Sequence, residues 1–274
     1  MKWTTWVCSA LLTLGTLASL SGQEFPEIPN NPVVAHRGAA EFAPENTLSS
    51  ISEAIAVGAQ GAEFDIYQTS DGVIYLMHDG NFKRTTGLDA PAGSLTFQQM
   101  RELEAGSWKD PKFANEKVPT LDEALCLLKW TGTRPVIEVK ASGFEEKVVE
   151  TVRRLGFVPG ATIIDFSTER VKKFRELAPE IPVAWLCGFD EKVPEEEVAK
   201  TIITTLRECG TNLVDMHFGR ATPTLIERLK GEGIHVWVWT VDRPEDMARL
   251  IDAGVESITT NRPIFALEAW NAKK

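Results

Sequence analysis

Eight short apolar, β-branched runs recur along the chain, nearly all followed by a stretch of helical periodicity, and this alternation leaves few folds open. The runs are VVAHRG (33–38), AEFDIYQT (62–69), PVIEVK (135–140), ATIIDF (161–166), PVAWLC (182–187), LVDMHF (213–218), HVWVWTV (235–241) and SITTN (257–261). Between them lie NTLSSISEAIAVG, SGFEEKVVETVRRLG, STERVKKFRELAP, PEEEVAKTIITTLRECG, TPTLIERLKGEG and RPEDMARLIDAG, each ending at or near Gly or Pro. Strand starts are 21 to 31 residues apart, except for one gap of 73. Runs apolar on both faces read as parallel strands covered on both sides, and eight of them in about 250 residues favour a closed ring over an open sheet. The expected fold is an α/β (β/α)8 TIM barrel.

The long gap follows the second run. It opens with TSDG and the alternating VIYLMHD, a strand folding back through an Asp-Gly turn. About forty irregular residues then lead to the helix PTLDEALCLLK. A long βα insertion lies over the carboxyl face, where barrel enzymes keep their chemistry, so residues 80–119 are expected to form a wall or lid of a substrate pocket. With no linker, repeat or low-complexity tract after residue 32, residues 23–274 read as one domain.

Residues 1–22, MKWTTWVCSALLTLGTLASLSG, join Lys2 to an apolar and small-residue run that closes on small residues, the pattern of a signal peptide cleaved near Gly22. The run is too diluted by Thr, Ser and Gly to anchor the chain, and no other stretch could span a bilayer. The expectation is an exported protein, periplasmic or secreted, with no stable membrane anchor. Without the leader, 28 basic residues face 39 acidic ones, and the net charge of −11 argues against a nucleic-acid partner. No protein partner is implied. Cys126, Cys187 and Cys209 lack the spacing of a zinc site or disulfide framework, and Cys126 and Cys187, in apolar runs, read as core.

Barrel strands should be apolar inside, yet their carboxyl halves carry His36, Arg37, Glu63, Asp65, Glu138, Lys140, Asp165 and Trp239. Burying charges costs several kcal/mol each unless they are paired or metal-bound, so charges from several strand ends point to one shared site. Glu63 and Asp65, two apart, share a strand face, and Glu138 is the matching acid on the next parallel strand. Three convergent carboxylates repel one another unless protonated or neutralised, and all-oxygen ligands suit Mg²⁺ or Ca²⁺ better than zinc. His36 closes the first strand and His78 the returning hairpin, so both stand at the mouth as candidates for general acid and base. Arg37 and Lys140 add positive charge suited to an anion such as phosphate, or alternatively pair with the acids. Trp239 offers a plane for the CH face of a polyol, while Trp237 reads as barrel core. His235 opens its strand at the amino face and reads as packing; His217 is read equally as pocket lining or structure.

In this order, HRGAAEFAPENTLSSI, EFDIYQTSDGVIYLMHD, VPTLDEAL, IEVK and WVWTVD resemble the glycerophosphodiester phosphodiesterase family over most of residues 33–265. The resemblance implies a metal-dependent TIM-barrel hydrolase that releases glycerol 3-phosphate and an alcohol. It implies that Glu63, Asp65 and Glu138 hold the divalent ion, that His36 and His78 are the acid and base, and that Arg37 and Lys140 contact phosphate. Trp239 would pack on glycerol, and Glu45 looks like a further substrate-binding residue. Three positions depart from the pattern: Asp165 replaces Ser, Asp242 replaces Asn, and Asn261 stands where an acid is usual. Asp165 is expected to add charge near the ion and Asn261 to remove it, without touching the five metal and proton-transfer residues. The competing readings are a related phospholipase for lysophospholipids or phosphoinositides, which would favour a greasy lid, and a non-catalytic exported binding protein for an anionic polyol.

Overall fold

A computed structural model describes residues 24–273; the leader lies outside the described residues. Eight parallel strands close into a ring: β1 (Val33–Ala35), β2 (Gly61–Gln68), β4 (Arg134–Val139), β5 (Thr162–Asp165), β6 (Val183–Cys187), β7 (Leu213–His217), β8 (His235–Trp239) and β9 (Ser257–Thr260). The ring shuts where β1 pairs with both β2 (Val34↔Gly61) and β9 (Val34↔Thr259). All eight expected runs are strands, and the barrel is the (β/α)8 fold.

Alternation splits each strand between two cores. Inside the ring, Val34, Val136, Ile164, Ala184, Leu186, Leu213 and Trp237 pack together, and the opposite faces pack against the helices. Gly61 points into this interior, where a Cβ would sit 2.9 Å from Val34. Above these apolar layers, the next inward positions are Glu63, Asp65 and Glu138. Chemistry therefore begins where the apolar filling stops.

Because β1 is short, the far half of β2 is free on that side. The antiparallel β3 (Ile74–Leu76) takes the vacancy, pairing Ile66 with Leu76 and Gln68 with Ile74. The hairpin rises above the ring and returns, so His78 comes back down to the mouth.

The outer helices are α1 (Leu48–Ala56), α4 (Leu121–Leu128), α5 (Glu145–Arg154), α6 (Thr168–Leu177), α7 (Glu195–Cys209), α8 (Pro223–Gly231), α9 (Pro244–Ala253) and α10 (Pro263–Asn271). Thr47 with Ser50, and Thr120 with Glu123, form capping boxes that fix where α1 and α4 begin. The insertion is more ordered than its sequence suggests. It carries α2 (Lys83–Thr86) and α3 (Phe97–Glu102), and Tyr75, Met77, Phe82, Met100, Ala105 and Val118 form a small core of its own. Cys187 and Cys209 are buried, but Cys126 is exposed on α4, contrary to the core reading. Its apolar neighbours Leu125 and Leu128 face inward and it faces out.

Candidate active site

Directly after β1 the chain turns through two left-handed residues, Arg37 (φ 53°) and Gly38 (φ 75°). A Cβ on Gly38 would stand 2.6 Å from the Ser50 backbone, so only glycine lets this turn lie against α1. The turn leaves His36 at the mouth and points the Arg37 amide at Glu63 Oε2, 2.7 Å away.

Glu63, Asp65 and Glu138 meet as the strand phase requires. Asp65 and Glu138 are register partners on β2 and β4, and one oxygen from each of the three acids lies within 4.8 Å of the others. Burial, reinforced by Asp65 and Glu138, raises Glu63 well above the usual carboxylate range. Burial and the Asp65 charge push Glu138 up to about 7. Asp65 goes the other way: burial opposes its charge, but Lys140, His78 and Arg37 together outweigh it and hold it low. Lys140 Nζ lies 2.6 Å from Glu138 and 3.0 Å from Asp65, so it pairs with the acids while facing the cavity. Among the described residues, the buried Glu63 Oε1 has no hydrogen-bond partner. Three carboxylates against one close ammonium, with an oxygen left unmet, fit a hard divalent cation.

The two histidines are held differently. His36 Nδ1 lies 2.8 Å from Asn261 Oδ1, and Asn261 Nδ2 donates to Asp242 Oδ2 at 2.8 Å. Asn261 thus touches one of the two residues expected to transfer protons, which corrects the expectation that the departures leave them alone. Burial, then the Arg37 charge, lowers the pKa of His36. His78 Nδ1 lies 2.8 Å from Asp79 Oδ1, and Asp79 also accepts from Arg84 Nε at 2.6 Å.

Arg84, at the start of the insertion, bonds Glu45 twice at 2.7 Å, and Glu45 accepts from Arg37 at 2.8 Å. Glu45 therefore lies behind Arg37 and orients it; it does not line the central cavity. Arg37 Nε is buried without a hydrogen-bond partner among the described residues and stands 3.7 Å from Asp65.

The cavity measures about 130 Å³ and is lined by His36, Arg37, Glu63, His78, Glu138 and Lys140. Ile164, Phe166, Leu186, Asp215, Trp239, Thr240 and Thr259 complete its lining. Trp239 Nε1 donates to the Asp215 carbonyl at 3.0 Å, and its ring meets Phe166 edge-on at 5.5 Å. No residue of 80–119 lines this cavity; the insertion stands beside the mouth and reaches it through Arg84.

Asp165 is not part of the site. Ile164 faces inward, so Asp165 faces out, where it bonds Arg170 and caps the turn at Ser167. His217 lies outside the cavity, its ring edge-on to Trp239, and His235 binds Glu256 at the amino end. Two residues of the site were not singled out from sequence. Asn46 makes a two-point clasp on Asp65, donating to Oδ2 at 2.8 Å and accepting from its amide at 3.0 Å. Asp215 lies inward on β7, and the face-sharing rule applied to Glu63 and Asp65 would have marked it.

Paired imidazoles over a carboxylate cluster, at the carboxyl end of a closed ring, are the equipment of a barrel hydrolase. Within that class the chain belongs to the glycerophosphoryl diester phosphodiesterase family, whose model matches residues 36–264. A glycerophosphodiester phosphodiesterase of Caldanaerobacter subterraneus is 32% identical over 238 residues, covering 84% of this chain and 94% of the relative. A crystal structure of the Agrobacterium tumefaciens glycerophosphodiester phosphodiesterase superposes with a TM-score of 0.76 at 28% identity, covering 87% and 99% of the two chains. An Oleispira antarctica phosphodiesterase in complex with the product sn-glycerol-3-phosphate gives 0.78 at 25% identity, with 88% and 96% covered. The chain is accordingly an enzyme, a phosphoric diester hydrolase.

Proposed function

We propose that the chain hydrolyses glycerophosphodiesters to glycerol 3-phosphate and an alcohol, using a divalent cation and the His36/His78 pair. The observation that carries this reading is the convergence of both imidazoles, the acid cluster and the unmet Arg37 donor on one small cavity. A Ca²⁺ or Mg²⁺ ion held by Glu63, Asp65 and Glu138 would supply positive charge to the phosphoryl oxygens. Arg37 and Lys140 bind the phosphate and offset the charge that builds on it.

Hydrogen-bond logic distributes the two proton roles. Asp242 only accepts, so the Asn261 amide donates to it and turns its oxygen toward His36. His36 Nδ1 then carries the proton and Nε2 keeps its lone pair. With its pKa lowered by burial, His36 is the base that takes the proton of the attacking hydroxyl. His78 Nδ1 faces the acceptor-only Asp79, the charge partner of a proton-donating ring, and His78 protonates the departing alkoxide.

The small cavity supports deacylated substrates over lysophospholipids. It is well below the roughly 300–1,000 Å³ usual for larger ligands, and the insertion packs Phe82, Phe97 and Leu103 into its own core. The N-terminal pattern supports export as the setting for this activity. The test is incubation with glycerophosphocholine, glycerophosphoethanolamine and lysophosphatidylcholine, each with Ca²⁺, Mg²⁺ or EDTA. Glycerol 3-phosphate release from the first two, abolished by EDTA and reduced ~10²–10⁴-fold in His36→Ala and His78→Ala, is expected. Release that survives EDTA, or faster turnover of the lysolipid, would count against it.

A further inference from the structure

The cavity lining holds two polar side chains that the mechanism does not use. β7 lies four strands from β2 in either direction round the ring, and its Asp215 is fully buried with, among the described residues, neither carboxyl oxygen hydrogen-bonded. Thr259, on β9, is 2% exposed, and its Oγ1 is likewise unpartnered. Both line the cavity that holds His36 and Lys140. Buried polar atoms in native proteins are almost always satisfied, so two unmet residues facing one cavity mark a place where a ligand supplies the partners.

The chemistry of the pair restricts what that ligand group is. Among the described residues no cation pairs with Asp215, and its burial, with the Glu138 charge added, raises its pKa and so favours the uncharged carboxyl. A carboxylic acid and a hydroxyl both donate and accept without net charge. They match an alcohol, and neither a phosphate nor an ammonium group. Trp239, fixed to the Asp215 carbonyl, places an apolar plane beside them for the carbon skeleton.

We propose that Asp215 and Thr259 form a hydroxyl-reading subsite that takes a free alcohol group of the substrate's polyol and selects diesters in which that hydroxyl is unsubstituted. The inference deepens the phosphodiester reading and rests on it for the placement of the phosphate. A site built to bond a hydroxyl discriminates strongly against the analogue lacking it, because its own polar groups are then left unpaired.

Calorimetry with glycerol 3-phosphate and with propyl phosphate, which has the same phosphate and no free hydroxyl, reads this out directly. The wild type is expected to favour glycerol 3-phosphate, and Asp215→Leu and Thr259→Val each to cut that preference by ~10-fold or more, with propyl phosphate binding kept or improved. Asp215→Leu also removes an unpartnered buried acid, so its melting temperature should hold or rise, which separates lost recognition from lost folding. An affinity ratio unchanged in both variants, or equal binding of the two ligands by the wild type, would overturn the subsite. Glycerophosphocholine turnover by the same proteins keeps the two readings apart. Absent turnover with a shifted ratio sinks the enzymatic reading alone, and intact turnover with an unshifted ratio sinks the subsite alone.

Discussion

His36 meets an amide oxygen, and the nearest carboxylate of that chain, Asp242, stands one residue further out. The arrangement fixes the ring without placing a full negative charge against it, and burial and Arg37 then keep its pKa below the ordinary value of 6.5. If His36 is the base, activity is lost as pH falls through its pKa, so the acid limb of the rate profile should lie below that value. Asn261→Asp puts a carboxylate on Nδ1, which favours the charged ring, and should move the limb to higher pH by about one unit. A profile that stays in place would disprove the relay. Sequence alone shows Asn261 only as a missing acid, since its partner lies 225 residues away. Strand phase explains two other residue-scale outcomes. The acids of β2 and β4 were legible because one face is polar against an apolar strand. In ATIIDF both faces are apolar up to Asp165, so nothing local tells which way that carboxylate points. Pairing of Glu138 with Ile164 settles it.

At the scale of elements, strands and helices were read well where period and caps agree, as in α1 and α4. The short helices of the insertion were not, because four to six residues carry no period; α3 holds through its Thr96–Gln99 capping box and the packing of Met100 beside Tyr75 and Phe82. Nor was α10 expected. It begins at Pro263 with apolar residues spread round its circumference, so no single stripe announces it. The turn after β1 is the element on which the site most depends. Gly38→Ala must accept a left-handed backbone and a clash with Ser50, and should cost about 2 kcal/mol or more, with kcat/KM falling as Arg37 is displaced. Denaturant unfolding at wild-type stability would show that the turn relaxes.

For the whole molecule, eight runs at regular spacing made the ring legible, and the Asp-Gly turn made the returning strand β3 legible; that β3 fills the β2 edge beyond β1 was not, because it depends on how short β1 is. The closed ring also concentrates its electrostatic cost at one end. Glu138 has its pKa raised to about 7, so the stability it contributes without a cation is present at low pH and lost as pH rises through about 7, and Glu63, also raised, acts in the same direction. A divalent cation reverses this loss by replacing the protons. Its stabilisation should therefore grow with pH, reaching ~2.7 kcal/mol at a hundredfold excess over Kd, or roughly 5–10 °C in melting temperature. A melting shift with Ca²⁺ or Mg²⁺ that is absent, or the same at pH 5 and pH 8, would argue against cation binding at these acids. The hairpin of β2 and β3 has a mechanical meaning as well. His36 rides on a strand the ring cannot lose, whereas His78 rides on a flap the ring does not need for closure. The proposed catalytic pair is thus carried by a ring strand and by the returning hairpin, which Arg84 and Glu45 link at the mouth. If His78 is the proton donor, the reaction depends on a strand whose loss would leave all eight ring pairings in place.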